Sequence, residues 1–521
     1  MTPSPSSPDA PDDRGTPRVL VVGAGPTGLV TALLLANLGV ASTVVDRRSA
    51  PHRLPRAVHL DDECVRILQS AGVAEAFAAI SRPATGLRLL DGRLRPFAVF
   101  TRDCAAGRHG WPESNVFDQP ELEELLLAEA ARRPLVTVRS GTELVDVFPA
   151  GRVTVRDTAD GSVDHLEFDA VLGCDGAGST VRTTLGSHSR DLGFTERWFV
   201  VDVRCARRIA TWGGVDQICD PRRPATFLAL PADRYRWEFR MDRDETADDL
   251  VTRIDSLTAP WRPDVASDDL EVLRAAEYVF RARIATPWRE DRVLLLGDAA
   301  HLTPPFIGQG LGAGLRDAHN LAWKLAAVLH GEVPPALENR MLDSYQQERA
   351  PQVEAVIRGA VRVGRAMTGG QDVAAALRGP LTRSLLRIPG VRARASRGIV
   401  TRYPAGAQVD PRRDRRDLTG TVCPQPLVTL DGRSVRLDEA LGCGHVLLTD
   451  GPVPVTLLAR ARLLRARVVQ IGPGDGEGDG DGEVVLADGG PVRAWLRDGG
   501  CAAVLLRPDR VVLASAPRPS R

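Results

Sequence analysis

The chain has 521 residues, too many for one compact core, so two or three domains are expected. Its 67 basic and 67 acidic residues cancel, which leaves no basic face for nucleic acid, and 43% hydrophobic with 26% charged residues is the balance of a soluble globular protein. Lys324 is the only lysine, which argues against Schiff-base chemistry, and eight cysteines without tight spacing read as scattered thiols of a cytoplasmic protein.

Met1 to Pro17 is rich in Pro, Ser and Asp and lacks the basic start and apolar run of a signal peptide, so it reads as a disordered tail. Arg18 to Val22 is a strand, Pro26 to Leu38 a helix and Ala41 to Asp46 a returning strand, a β-α-β unit. The most apolar stretch, Leu29 to Val45, is interrupted by Asn37 and Gly39 and closed by Asp46, so no membrane span is expected. Helical patterns follow at Asp61 to Ala71 and Gln119 to Ala131, and alternating strands at Val136 to Val147 and Arg152 to Asp157.

From about Trp198 to Arg283 the chain is β-rich with Pro, Asp and Arg turns, which predicts an antiparallel sheet inserted into the first domain. The α/β texture returns at Arg292. A long helix is expected from Leu311 to Leu329, with Leu311, Leu315, Ala318, Ala322, Leu325 and Leu329 at helical spacing, and helical patterns run on to about Arg397. A charged linker, Asp410 to Asp417, leads into a third unit with strands near Gly444, Arg467 and Ala502. Gly472 to Glu483 shows no full calcium-binding repeat and reads as a hairpin loop, and no metal site is expected. The divisions are therefore 1–17, a tail; 18–190, the first part of a nucleotide-binding domain; 191–285, a β-sheet substrate domain; 286–400, the second part; and 401–521, linker and third domain.

Three motifs carry chemistry. Gly23, Gly25 and Gly28 fit a tight turn, close approach of backbone to a pyrophosphate, and close packing of helix on strand. Asp46 ends the next strand 18 residues after Gly28, where a carboxylate can hold ribose hydroxyls. Asp175-Gly176 and Gly297-Asp298 each end an apolar strand in a carboxylate, the former also open to reading as an ordinary turn. Gly308, Gly310, Gly312 and Gly314 begin the long helix with almost no side-chain bulk, which lets backbone N–H groups at its N-terminus face an electron-rich ring edge.

Through these motifs, residues 18 to about 370 resemble the class A flavoprotein aromatic hydroxylases, most closely the 3-(3-hydroxyphenyl)propionate hydroxylases. The resemblance rests on the stretch from Pro55 to Glu63, on Gln217 to Thr226, on Arg236 to Phe239, and on Pro305 to Gly310 continuing through Arg316, Asp317 and Asn320 to Leu325. It implies an α/β fold: an FAD-binding Rossmann-like domain of the para-hydroxybenzoate hydroxylase type, an inserted antiparallel β-sheet domain, and a thioredoxin-like C-terminal domain from about residue 405. That last domain has no CxxC pair and so no expected redox role.

The resemblance also implies roles. Gly23, Gly25, Gly28, Asp46 and Arg47 bind the ADP half of FAD, Arg56 faces the pyrophosphate, and Gln119 touches the flavin side chain. Asp175 belongs to a motif tied to FAD and NAD(P)H, Asp298 holds the ribityl chain, and Gly310, Leu311 and Gly312 meet the flavin ring through backbone, although relatives often carry Asn or Cys at the last position. The implied reaction is reduction of FAD by NAD(P)H, capture of O2 as a flavin C4a-hydroperoxide, and hydroxylation of a phenolic ring kept dry by the protein.

Asp61 is the first expected base and His59 the second, with Pro305 counted at the reaction centre; capping of the following helix by Asp61 and Asp62 is the alternative. Arg236 and Trp237 either line the substrate pocket or form a structural pair. A homodimer is expected. A tailoring hydroxylase of a larger polyketide-type aromatic is the alternative within the fold, and an inactive flavin-binding scaffold the alternative outside it.

Overall fold

The computed structural model describes residues 17–50, 57–148, 151–368, 402–472, 484–486 and 490–518. The expectations for the N-terminal tail, for Arg56, for the helical patterns beyond residue 368 and for the glycine-rich loop at 473–483 lie outside the described residues.

In chain order, β1 (Arg18–Val22), α1 (Pro26–Asn37) and β2 (Ala41–Asp46) form the first unit, and α2 (Asp62–Ser70) follows. Next come β3 (Gly86–Leu90), β4 (Pro96–Thr101), β5 (Val136–Ser140) and β6 (Ala170–Gly173). The long β7 (His188–Cys205) leads to β8 (Val215–Ile218), β9 (Ala225–Leu230), β10 (Arg234–Arg240) and the long β11 (Leu270–Thr286). The chain returns through β12 (Val293–Leu295) to two helices, α3 (Gly310–Leu329) and α4 (Pro335–Thr368). A last unit contains β13 (Val446–Thr449), β14 (Arg467–Ile471), β15 (Val484–Leu486), β16 (Cys501–Leu506) and β17 (Val512–Pro517).

The first sheet runs β12-β6-β1-β2-β5, all parallel, with the short strand Arg289–Glu290 antiparallel at its edge. Val19, Leu20 and Val21 are fully buried, as a parallel strand covered on both faces requires. Parallel register has a direct consequence: the carboxyl ends of β1, β2, β6 and β12 open on one edge of the sheet. Asp46 closes β2, Gly23, Asp175 and Asp298 follow the ends of β1, β6 and β12, and all four are thereby gathered at the crevice where α/β sheets bind ligands.

The second sheet has eight strands, the short His301–Leu302 strand followed by β11-β7-β10-β9-β8-β3-β4. It recruits β3 and β4 from well before the β-rich stretch, pairing β3 parallel to β8. Alternation divides its residues between two faces. One face packs Phe199, Phe227, Tyr235, Trp237 and Phe239 into an aromatic core under the short helices Ala247–Val251 and Ile254–Thr258. Trp237 is 0% exposed in that core, so the expectation that it lines the substrate pocket is corrected: it points to the opposite face from Arg236, its chain neighbour.

The C-terminal unit is a mixed sheet in the order β15-β14-β13-β16-β17, parallel among the first three and antiparallel thereafter. Two buried ion networks bind it to the rest. Lys324 on α3 donates to Glu348 of α4 and to the Asn320 side chain, both at 2.9 Å. Arg507 donates to the other oxygen of Glu348 at 2.9 Å and pairs with Asp509. Arg66 on α2 makes a bidentate pair with Asp438 at 2.6 and 2.7 Å.

Glu348→Ala leaves Lys324 buried without its counter-ion and removes one of the two anions around Arg507, so a loss of about 3–5 kcal/mol is expected in denaturant unfolding. Burial holds the His109 and His445 imidazoles down at about 4, against the ordinary 6.5. The stability gained by keeping them neutral is complete above 6.5 and is lost as pH falls toward about 4, because the unfolded chain takes up the protons first. The melting temperature should decline across that window. His445→Phe, which can keep the edge contact on Trp323 at 5.6 Å, should decline less steeply.

Candidate active site

A single continuous cavity of about 1630 Å³ runs from the carboxyl edge of the parallel sheet to the inner face of the eight-stranded sheet. At its first end the chain leaves β1, turns at Gly23 with φ +108°, and enters α1 at Pro26. A Cβ on Gly23 would stand 2.4 Å from the Cys174 carbonyl oxygen, and one on Gly28 would stand 2.0 Å from the Gly23 carbonyl oxygen. These two glycines permit packing. Gly25 is different, since a Cβ there meets nothing within 4 Å and would enter the cavity in front of the α1 N-terminus.

Asp46 lines the same end and also holds the turn, accepting from Ala24 N at 2.9 Å and from Arg48 N at 2.9 Å; Arg47 lies beside it on the cavity wall. Asp175 accepts from Val181 N at 3.1 Å through one oxygen, while the other is buried with no hydrogen-bond partner. Burial raises its pKa. Beside it, Gly176 and Gly178 also face open space. An unanswered buried oxygen, three glycines fronting emptiness and a helix N-terminus without an acidic residue in its first turn together fit the phosphates and ribose hydroxyls of a dinucleotide.

Gln119 lines the cavity, accepts from Ala57 N at 2.7 Å and donates to Glu123 at 2.7 Å, so it braces the chain on its way to His59. Asp298 lies on the wall after a left-handed Gly297. Behind that turn Asp317 accepts from Gly297 N at 3.1 Å, from His301 Nε2 at 2.6 Å and from Arg349 Nε at 2.8 Å. Burial opposes the Asp317 charge, yet His301 and Arg349 hold the carboxyl below the usual range.

At the start of α3, Pro305, Gly308, Gly310 and Leu311 reach the cavity. The N–H groups of Gly310, Leu311 and Gly312 precede the first helical bond, Ala313 N to Gln309 O, and stay available to a ligand. Gly312 itself serves packing: a Cβ there would stand 2.9 Å from Cys64 Sγ and 2.9 Å from Arg316.

The first expected base takes the alternative role. Asp61 caps α2, accepting from Cys64 N at 2.9 Å, and its other oxygen accepts from Arg316 at 2.7 Å and Gln309 at 2.8 Å. Burial pushes its pKa up, but Arg316 overrides that and holds the carboxyl well below the ordinary range, which makes it a poor proton acceptor. His59, the second expected base, also lies on the cavity wall. Its Nε2 is 2.9 Å from Ser114 Oγ, its Nδ1 lies under Gly308, and burial lowers its pKa so that the ring is neutral at pH 7.

The far wall is the inner face of the second sheet. Leu87, Leu89, Phe100, Trp198, Val200 and Leu228 make it apolar. One charged row crosses it: Arg236 grips Asp202 at 2.6 and 2.9 Å, Arg274 lies 3.8 Å from Asp202, and Glu238 lies 3.8 Å from Arg236. Arg236 therefore reaches the cavity while serving a structural pair. Asp202, Glu238, Arg274, Arg316 and Gln309 had no assigned role in the sequence; the alternation Arg236-Trp237-Glu238 was the available signal for Glu238, placing it on the face of Arg236.

Residues 16–360 match the FAD binding domain family and residues 420–520 the HcaD C-terminal domain. The chain is 32% identical over 515 residues to a probable NADH-specific resorcinol 4-hydroxylase of Rhodococcus jostii (strain RHA1), across 96% of this chain and 92% of the relative. It is 36% identical over 529 residues to 3-(3-hydroxy-phenyl)propionate/3-hydroxycinnamic acid hydroxylase 2 of Burkholderia vietnamiensis (strain G4 / LMG 22486), across 96% and 94%. Among solved structures, aklavinone-11 hydroxylase in complex with FAD and aklavinone superposes with a TM-score of 0.76 at 26% identity, covering 96% of each chain.

The two kinds of glycine separate in a direct test. Gly28→Ala should compromise folding, because its Cβ has nowhere to go. Gly25→Val should fold with an unchanged melt of the flavin-free protein and retain at least about tenfold less flavin, read from the absorbance ratio of the purified protein.

Proposed function

The chain belongs to the FAD binding domain family of flavoprotein aromatic hydroxylases, and from that membership we propose that it is an NAD(P)H-dependent monooxygenase that hydroxylates a phenolic ring between the start of α3 and the inner face of the second sheet. The observation that carries this reading is the continuity of one cavity from dinucleotide cradle to apolar chamber. When bound and reduced by the nicotinamide cofactor, FAD supplies the activation of O2.

The protein's own contribution is positional and electrostatic. The free N–H groups of Gly310 and Leu311 and the dipole of α3 favour negative charge at that end of the cavity. Pro305 and the apolar sheet residues exclude water. His59, neutral at pH 7, accepts or relays the phenolic proton, with Ser114 fixing its ring. Asp61 orients Arg316 and Gln309 at the opening of α3.

A small phenol bearing a meta substituent, as in 3-(3-hydroxyphenyl)propionate or resorcinol, is the proposed substrate, in line with the names of the two relatives; NADH is the proposed reductant in line with one of them. A larger polyketide-type aromatic is the second reading, favoured by the aklavinone-binding neighbour. Among the described residues no helix is long and apolar enough to cross a membrane. Cytoplasmic action, as a homodimer, is part of the proposal.

The test is NADH and NADPH oxidation by FAD-loaded protein over a panel from small phenols to fused-ring quinols, with product masses recorded. A one-oxygen mass gain on a small phenol is expected. Stimulated oxidation without that gain would move the substrate to the larger class, and flavin binding with no stimulation by any compound would overturn the reading. Because the proposed base must be neutral, the hydroxylation rate should hold between pH 8 and 6.5 and fall only below the ordinary histidine range. His59→Gln should lower the rate by at least about tenfold and remove that acid limb.

A further inference from the structure

We propose that Glu238 is the residue that receives a substrate hydroxyl group, so that the preferred ring carries a hydroxyl, rather than a carboxylate, on the side facing the second sheet. The inference rests on the proposed function above and adds the polar contact that selects within the phenolic class.

Strand alternation sets the position of Glu238. Residues 236, 238 and 240 of β10 share one face, and the pairing register places Glu238 directly between Thr226 of β9 and Val200 of β7, all three of them on the cavity wall. The Glu238 side chain is 15% exposed. Its nearest cation is Arg236, at 3.8 Å, beyond hydrogen-bond distance, and Arg236 directs its Nε and Nη2 to Asp202 instead. Thr226 turns its hydroxyl to Gln217 at 3.0 Å. Among the described residues nothing donates a hydrogen bond to the Glu238 carboxyl.

A carboxyl in an apolar chamber without a donor costs free energy that a structural role would not leave unanswered. Its wall neighbours Val200 and Leu228 have no polar side-chain atom, and the Trp198 indole donates to Glu196 at 3.0 Å instead. Burial accordingly raises the Glu238 pKa. A ligand hydroxyl meets the need in either protonation state, donating to the carboxylate or sharing the proton of the acid. A ligand carboxylate would place a third anion beside Asp202 and Glu238, while Arg236 is already engaged by Asp202 in two hydrogen bonds.

This arrangement separates a ligand contact from a structural ion pair by the sign of one measurement. Removing an unanswered buried carboxyl relieves the folded protein, whereas removing a supporting ion-pair partner weakens it. In the flavin-loaded full chain without substrate, Glu238→Gln and Glu238→Leu should melt at or above the wild-type temperature.

Binding is read by the change in flavin absorbance on titration with resorcinol and with phenol, which differ by one hydroxyl. Wild-type protein should prefer resorcinol by about tenfold to a hundredfold. Glu238→Leu should reduce that preference to within about threefold, and Glu238→Gln should retain an intermediate share. The effect should fall on Kd and KM for resorcinol more than on kcat, a split that a folding defect would not produce.

A lower melting temperature in both variants, or an undiminished preference for resorcinol in Glu238→Leu, would overturn the assignment while leaving the proposed function intact. A wild-type protein that hydroxylates no phenol and shows no spectral response to either ligand would overturn the functional reading and this inference with it.

Discussion

The position of α3 is the constraint on which the site depends, and buried charge sets it. Four polar side chains of one helix reach three different parts of the molecule. Arg316 holds Asp61 at the cap of α2, Asp317 ties down the Gly297 turn together with His301 and Arg349, and Asn320 and Lys324 join Glu348 of α4. These groups are buried or nearly so, and a buried charge survives only when its partners stand in one geometry. The ion pairs therefore act less as a source of net stability than as a specification of where the first turn of α3 must lie. That turn carries the N–H groups that face the cavity.

The C-terminal unit shares in this specification. Arg507 and Asp509 complete the network around Glu348, and Asp438 completes the one around Arg66 on α2. Helices α2, α3 and α4 are thus anchored from behind by the same unit. Tyr403 and Thr421 also reach the cavity wall itself. A domain without a cysteine pair for redox chemistry has a positional part to play, because the helices it grips would otherwise carry unpaired buried charge.

Two sets of carboxylates stand on or next to the cavity wall. Asp61, Asp202 and Asp317 are saturated by arginine, backbone or histidine donors and belong to the architecture. One oxygen of Asp175 and the carboxyl of Glu238 lack such donors and face the space in which a ligand lies. Glycines divide in the same manner: at 23, 28 and 312 a side chain would strike protein, and at 25, 176 and 178 it would stand in the open space of the cavity. Saturation of hydrogen bonds and freedom of a missing Cβ are two independent readings: both mark the Asp175 end of the cavity, and the first also marks Glu238 on the far wall.

Local pattern in the sequence determined the β-α-β unit, the three strand-ending motifs, the long glycine-started helix and the family likeness, because each depends on residues close together along the chain. The order β12-β6-β1-β2, which gathers Asp298, Asp175, Gly23 and Asp46 at one edge, joins strands more than 100 residues apart and comes from the tertiary structure. Long-range partners decided the rest. Asp61 reads equally as a base or a cap until Arg316, 255 residues away, takes its second oxygen. Trp237 and Arg236 are neighbours in sequence, yet the side of the sheet that faces the cavity is chosen by the aromatic core behind it and by strands drawn from residues 86 to 101. Whether a carboxylate is spent on structure or left for a ligand is a matter of which donors arrive from elsewhere in the fold, and only the tertiary structure brings them.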